Sequence, residues 1–450
     1  MTDTKQLYNE RLGRFQSAMA LLPTDRIPIS FGMNQAALIY GGNSQENAVY
    51  NPEATLEACR KFHRDFPEID TGGLASYYAP YFDTVGCRNM KFPGRDLPVD
   101  VPYQYIEKPY MSADEYEDFI EDPTAFLINT WLPRVCSEMA DRNSPRYALA
   151  IFKCALAQNQ MRTIFAQRKD VIAQEFGVIP AYGGGCHAAF DELSDKLRDL
   201  NGIIGDMRRR PEKVKKACEI MNKFMISKAV SGDTTRIFPT YLTTHRPMFL
   251  SPKEFDDFYW PTLKELLLTA WDCGVRVRIL LEGDWGAHIH RLVELPKGSL
   301  LCDIDMQTDI KKAKEILGGH HCIAGGLHDP ILSIVGTTQV DEHVHYLCET
   351  IGKGGGFMLN AGGTVPYNVK PENLRAACDA LMKYGWYDKD IKHEPIAPPE
   401  KKRDWKLMPY TSWDEKLKEL GGSVTGDGKL ISKCWEDLDV MAQAWVWSWL

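Results

Sequence analysis

The chemistry of this chain is concentrated at the ends of four short apolar runs. In Val275-Arg-Val-Arg-Ile-Leu-Leu-Glu-Gly-Asp-Trp285 a β-branched run closes on two carboxylates, Glu282 and Asp284, separated by one glycine. Ser299-Leu-Leu-Cys-Asp-Ile-Asp305, His321-Cys-Ile-Ala-Gly-Gly-Leu-His328 and Gly356-Phe-Met-Leu-Asn-Ala-Gly-Gly363 repeat the pattern, each opening onto polar or glycine residues. Such a run reads as a buried parallel strand, and in an α/β barrel the C-terminal strand ends carry the chemistry. A carboxylate there can bind a metal, hold a proton or orient a substrate. Glu282, Asp284 and Asp305 are therefore the candidate catalytic groups, and Glu282, Asp303 and His328 the candidate metal ligands. Each has a structural alternative. Asp303 and Asp305 alternate along one strand and share a face, where Arg276 or Arg278 of a neighbouring strand would neutralise them. Asp284 is placed to cap a following helix. His328 follows Gly325-Gly326, where backbone approaches a ligand closely, but it also precedes Asp329-Pro330, a helix start.

Tyr182, His187 and His245 follow other strands and, with Tyr78 and Asn360, are expected to line a substrate pocket. Tyr77, Tyr78 and Tyr81 suit stacking on an aromatic substrate or ordinary loop packing. Cys186 is either a soft ligand or a packed thiol. His288 and His290 lie two apart on a predicted helix and share no face, and His320-His321 reads as surface.

The elements that must position these groups follow from periodicity. A helix over 4–21 leads through Pro23–Pro28 into a strand at Ile29–Met33, then a helix over 52–64 and a strand at 68–71. Residues 72–135 read as an irregular excursion above the barrel, with a short helix at 112–120 begun by Ser112 and Glu115. Helix 160–170, strand 177–182, helices 187–208 and 211–230, strand 235–241 and helix 252–273 come next. Strands at 275–281, 299–304, 320–324 and 355–360 then alternate with helices at 286–294, 308–317, 337–352 and 371–384. This alternation demands a parallel sheet, and a strand count near eight favours closure. The expected fold is α/β, a TIM (β/α)8 barrel over 23–388, preceded by an N-terminal helix (1–22) and followed by a C-terminal extension (389–450). That extension holds Trp435, Trp445, Trp447 and Trp449. So much aromatic surface is expected to pack on the barrel or on a second subunit, as in a homodimer.

Composition narrows the function. The 450 residues are 44% hydrophobic and 25% charged, as in ordinary globular proteins. A net charge of −8 argues against nucleic acid as the partner. No apolar run reaches membrane-spanning length, and Met1–Arg14 is too polar for a signal peptide. The twelve cysteines form no CxxC pair, so a reduced, cytoplasmic protein is expected. No GxGxxG follows the first strand, which disfavours dinucleotide binding.

Several segments together resemble the uroporphyrinogen decarboxylase superfamily. They are Asp25-Arg-Ile-Pro28, Leu250-Ser-Pro-Lys-Glu-Phe-Asp-Asp-Phe-Tyr-Trp-Pro-Thr-Leu-Lys264, Leu281-Glu-Gly-Asp284, Cys322-Ile-Ala-Gly-Gly326 and Gly354–Gly362 with Lys370-Pro-Glu-Asn-Leu374. The resemblance implies a TIM barrel and one of two chemistries: cofactor-free decarboxylation of a porphyrinogen, or methyl transfer involving a corrinoid on a separate protein, usually with zinc. The decarboxylases open with an arginine-rich loop, whereas this chain has Arg26 followed by Phe31-Gly-Met-Asn-Gln35. A tetracarboxylate needs several cationic partners. Thiol-activating methyltransferases of the superfamily carry a His-x-Cys pair where this chain has Leu280 and Glu282, and a third cysteine where it has Gly363. The thiolate site is therefore absent. The Glu-Gly-Asp ending is closer to the ether-cleaving methyltransferases of O-demethylation systems. The resemblance thus implies a methyl donor that is a small methoxylated compound, an acceptor cob(I)alamin (cobalamin) protein, and a Zn2+ ion on oxygen and nitrogen ligands. This chain has no Asp-x-His-x-x-Gly corrinoid-binding motif of its own. A decarboxylase of another acid and a non-catalytic binding barrel are the alternatives.

Overall fold

The computed structural model describes residues 3–32, 34–72 and 78–449. Eight parallel strand segments form a ring. A short β1 is made by the bridge residues Ile29 and Ser30, and β2 is Thr71–Gly72. β3 is one stretch in two pieces, Ile179–Pro180 and Gly184–His187. β4 (Thr240–Thr244), β5 (Val277–Leu281), β6 (Leu300–Ile304), β7 (Cys322–Gly326) and β8 (Phe357–Asn360) complete the set.

The sheet runs β3-β4-β5-β6-β7-β8 through parallel ladders. Ile29 then bridges Leu359, Ser30 bridges Thr71, and Thr71 pairs with Ile179. β3 thereby closes the barrel: its first piece pairs with β2 and its second with β4. A closed ring leaves no edge strand to aggregate.

β5 to β8 are buried along their whole length, which is why they appear in the sequence as continuous apolar runs. β4 begins later than the 235–241 expected. Thr235 is instead spent in a turn, its N–H and hydroxyl both donating to Asp233 Oδ1 (2.9 and 2.6 Å). The helix expected at 160–170 is the middle of α2 (Pro145–Phe176), started by Ser144 and ended by Gly177 in the left-handed region. The segment expected as a helix over 286–294 is a 3-10 turn at Ile289–Glu294.

The bottom of the barrel is plugged by the N-terminal helix α1 (Thr4–Met19). Leu12, Phe15, Ala18 and Met19 pack against the inward residues Leu301, Cys322, Ala324 and Met358. Beside this plug Arg14 binds Asp25 and Asp70 (2.7 Å each), and Arg26 binds Asp70 (2.9 Å). Asp25-Arg-Ile-Pro28 is therefore a structural clasp, and its arginine is already occupied.

Residues 389–403 run along the bottom plug, with His393 Nε2 3.0 Å from Asp25 Oδ1 and Ile396 N–H donating to Gln16 Oε1 at 2.8 Å. In the last helix, Gly428–Trp447, Trp447 stacks on Phe224 at 3.6 Å and donates to Thr124 Oγ1 at 3.0 Å. Trp449 stacks on Tyr81 at 4.9 Å. No helix among the described residues is long and apolar enough to cross a membrane.

Candidate active site

In parallel strands, residues paired in register share a face. Thr243, Leu280 and Asp303 are register partners across β4, β5 and β6. The next inward positions, two residues on, are His245, Glu282 and Asp305. These three therefore rise together at the C-terminal rim. His245 Nε2 lies 3.6 Å from Glu282 Oε2, and its Nδ1 is 2.6 Å from Asp195 Oδ2. The three side chains form a carboxylate–imidazole–carboxylate chain open to the mouth, with Glu282 47% exposed and Asp195 16%.

The electrostatics of this chain favour a stored proton. Burial alone would lower the His245 pKa, but the Asp195 hydrogen bond and the charges of Asp191, Asp195 and Glu282 raise it to about 9. Burial pushes Glu282 above the usual carboxylate range; Asp305 and Asp195 add to this and His245 opposes it. Asp195 itself is lowered: the His245 bond and the His245 and Arg246 charges outweigh its burial.

The supporting shell comes from the helix after β3. Asp191 accepts the backbone N–H groups of His245 (3.0 Å) and Arg246 (3.1 Å) and the hydroxyl of Tyr259 (2.7 Å). Arg246 pairs with Asp195 and with Glu107. Glu192 binds His187 Nδ1 at 2.6 Å, and the His187 ring lies 5.9 Å from that of His245. Asp195 sits in a π-helical segment, Leu193–Arg198, and Tyr259 in another, Phe255–Tyr259. Such segments are frequent at functional sites. Sequence reading missed Asp191, Glu192 and Asp195. The available signal was a run of three carboxylates directly after the glycine-rich β3.

Asp305 stands beside Glu282 on the rim. It accepts Gly283 N–H (2.7 Å) and so fixes the turn that carries Glu282. Its charge raises the Glu282 pKa and opposes the burial that, with His343, lowers that of His328. Glu282, Asp305 and His328 follow the neighbouring parallel strands β5, β6 and β7 and so lie at the same end of the barrel.

Other expected site residues are placed elsewhere. Asp303 is fully buried beneath the rim, held by both Nε (2.7 Å) and Nη2 (3.0 Å) of Arg278. Asn360, expected to touch substrate, is equally buried and donates to Asp303 Oδ1 at 2.8 Å. Both are consumed in a barrel-filling network, because a buried ion must be paired. Asp284 is exposed and accepts Gly286 N–H at 2.8 Å, which makes it a turn cap. The metal set Glu282, Asp303 and His328 does not come together, and no three His, Cys, Asp or Glu side chains among the described residues are grouped to hold a metal ion. The donors expected for Zn2+ thus do not fit a zinc site.

Tyr182 stacks on Tyr241 at 4.9 Å and lines a cavity of about 620 Å3. His187 lines a second cavity of about 430 Å3. Tyr78 precedes a short helix, Ala79–Thr84, and is half-buried. Tyr81 packs under Trp449, and Tyr77 lies outside the described residues. Cys186 is a packed thiol, pushed up to about 12 by burial. His321 is not at the surface: it is fully buried against Leu292 O (2.9 Å).

Leu280 and Gly363 do converge. A Cβ at Gly363 would stand 3.4 Å from Leu280 Cδ1. The place where the resemblance sets a thiolate cluster is here a small aliphatic wall beside one carboxylate.

Comparison with known proteins agrees with the motifs. Residues 172–384 match the family described as uroporphyrinogen decarboxylase (URO-D). Curated relatives named uroporphyrinogen decarboxylase are 26% identical over 144 residues in Pseudoalteromonas atlantica and 25% over 138 in Idiomarina loihiensis. Each match covers 30% of this chain and 38% of the relative, so the chain spans well under half of those relatives' length. A solved structure described as a methyltransferase from Methanosarcina mazei aligns with a TM-score of 0.57 at 14% identity. That alignment covers 83% of this chain and 98% of the other, and it shows the shared fold. Over residues 172–384 the chain is therefore similar to that family, and it shares a fold with the methyltransferase.

Proposed function

We propose, for a chain carrying this uroporphyrinogen decarboxylase match, a methyltransferase that takes the methyl group from a small aryl methyl ether and gives it to the corrinoid of a separate protein. The observation that carries the reading is the Asp195–His245–Glu282 chain at the rim. An ether methyl is a poor electrophile because an oxyanion leaves badly, so the ether oxygen must be protonated as the bond breaks. The partner's reduced corrinoid supplies the nucleophile for the methyl carbon.

This chain supplies the proton. As the C–O bond breaks, its electron pair remains on the aryl oxygen, and Glu282 delivers a proton there. His245, held protonated up to about 9, returns a proton to Glu282 and takes the next from solvent. One proton is consumed for each phenol released. Leu280 and Gly363 leave the approach to the methyl carbon apolar and uncluttered.

The decarboxylase reading is favoured by the names of the curated relatives. Against it, Arg26, the arginine of the opening segment, is occupied by Asp70. The deciding experiment incubates the protein with a reduced corrinoid protein and a panel of methoxyarenes, following the methyl-corrinoid spectrum and carbon dioxide release. Methyl-corrinoid formation supports the proposal. Its absence across the panel refutes it, and carbon dioxide release without corrinoid establishes the alternative. Glu282→Gln should slow methyl transfer from donors that release weakly acidic phenols by about a hundredfold or more while unfolding like the parent, and undiminished turnover of those donors would remove Glu282 from the mechanism.

A further inference from the structure

The last helix, Gly428–Trp447, is apolar on two sides, and the rest of the protein covers one of them. On that side Trp447 and Gln443 are buried, and Trp435 donates its indole N–H to Thr411 O at 3.1 Å. The other side carries Leu430, Cys434, Leu438 and Met441, with Ile431 at its edge. Steps of three and four residues keep these side chains on one stripe. Among the described residues nothing covers it: Leu430 is 59% exposed, Leu438 64% and Met441 54%. A surface helix ordinarily turns a polar side outward, and a contiguous apolar stripe in that place marks an interaction site. The helix lies beyond residue 384, outside the segment that matches the family.

The charges bordering the stripe say what covers it. Lys433 and Asp437 stand one turn apart along one edge, 2.5 Å from each other and largely exposed. Within one chain such a pair adds little stability. Two identical helices related by a two-fold axis across them run antiparallel, and every contact between them occurs twice. Centred midway between Lys433 and Asp437, that pairing sets the lysine of each copy against the aspartate of the other. It also lays Leu430 of each copy beside Met441 of the other. A parallel pairing would set lysine beside lysine and aspartate beside aspartate, which costs rather than stabilises. The helix is therefore complementary to itself in charge along an apolar seam. We infer that the outer stripe of the last helix is a self-association surface, on which a second copy of this chain docks its own last helix antiparallel. The inference is independent of the methyl-transfer reading.

The test is sedimentation of the whole chain, followed by cross-linking. A dimer should accumulate as the protein is raised to about 100 µM, where a micromolar contact is filled. Leu438→Lys, at an exposed position, should unfold in urea like the parent yet weaken the dimer by about tenfold or more. Lys433→Asp and Asp437→Lys each set like charges across the two-fold and should weaken it by about fivefold or more. A mixture of those two variants should associate, and the doubly exchanged Lys433→Asp/Asp437→Lys should regain the parent's affinity. Cys434 is exposed whereas the other eleven cysteines are buried, so a bismaleimide spanning about one interhelix distance, ~8–10 Å, should join two parent chains through it. In a Cys434→Ser background, Leu430→Cys should cross-link to Met441→Cys of another copy and not to itself. A monomer at every concentration overturns the inference. So does a dimer indifferent to Leu438→Lys and to the charge variants, or one in which Leu430→Cys cross-links to its own equivalent.

Discussion

Replacing Asp195 by Asn keeps the shape of the chain and removes the charge that holds His245 protonated. Asp195 Oδ2 is 2.6 Å from His245 Nδ1, and its hydrogen bond is the largest influence raising the imidazole to about 9 against burial. Without it, burial pulls down against the remaining charges of Asp191 and Glu282, and the ring should return near the ordinary value of about 6.5. At about pH 8 an imidazole titrating near 9 is about nine-tenths protonated, whereas one near 6.5 is about 3% protonated. The variant should therefore lose about thirtyfold more proton-donating power at pH ~8 than the parent, but little at pH ~6. The assay is single-turnover methyl transfer against pH, with the His245 ring signal titrated by NMR in the same buffers. An unchanged alkaline limb near 9 in the Asn variant would refute the relay. So would an equal loss at both pH values, which would mean that Asp195 only shapes the loop.

The remaining predictions concern stability. His245 has a folded pKa above its unfolded value, so its contribution is complete below about 6.5 and is lost as pH rises through about 9; chemical denaturation across that range should show the parent, but not Asp195→Asn, weakening. Asp25 and Asp70 are shifted the other way: the paired arginines outweigh burial and lower both. Their contribution is present above the unfolded carboxylate value and falls away in acid. Asp70→Asn strands Arg26, while Arg14 keeps Asp25, and should cost about 3–5 kcal/mol by urea unfolding; a loss below about 1 kcal/mol would dissolve the clasp argument. Trp447→Ala should cost about 3–5 kcal/mol and expose the last helix to protease, and unaltered proteolysis would mean the extension is held by other contacts.

What the sequence discloses follows burial. β5 to β8 are buried on both faces, and their apolar runs mark them to within two residues at either end. β1 and β2 are two residues each, too short for any periodicity, so barrel closure depends on pairings that no local pattern records. β4 reads Thr-Tyr-Leu-Thr-Thr, polar enough that the apolar Ile237-Phe238 just before it drew the boundary forward. Exposed Leu149, Phe152 and Leu156 blur the stripe of α2, which hid its first half. In the site, Glu282 and His245 were legible as strand endings. Asp195 was not, because a π-helical turn displaces it from α-helical spacing. For Asp303 the alternation showed a shared face, but the choice between ligand and ion-pair partner needed the Arg278 geometry.

The aliphatic wall made by Leu280 and Gly363 changes which step the protein has to assist. A thiol acceptor needs a metal to hold it as thiolate, whereas an ether donor needs its oxygen neutralised as it leaves. A rim with one raised carboxylate fed by a protonated imidazole answers the second need. If so, the benefit from Glu282 should depend on how basic the departing aryl oxide is. In Glu282→Gln the oxide must leave unprotonated, so donors that release weakly acidic phenols should slow by about a hundredfold or more, the usual span of general acid catalysis. Donors that release nitrophenols need no proton and should slow little. Plotting log rate against phenol pKa for parent and variant, with saturating reduced corrinoid protein, should give a shallow line and a steep one. Parallel lines would show that Glu282 serves binding or loop shape alone, and the proton-delivery mechanism would fall with that result.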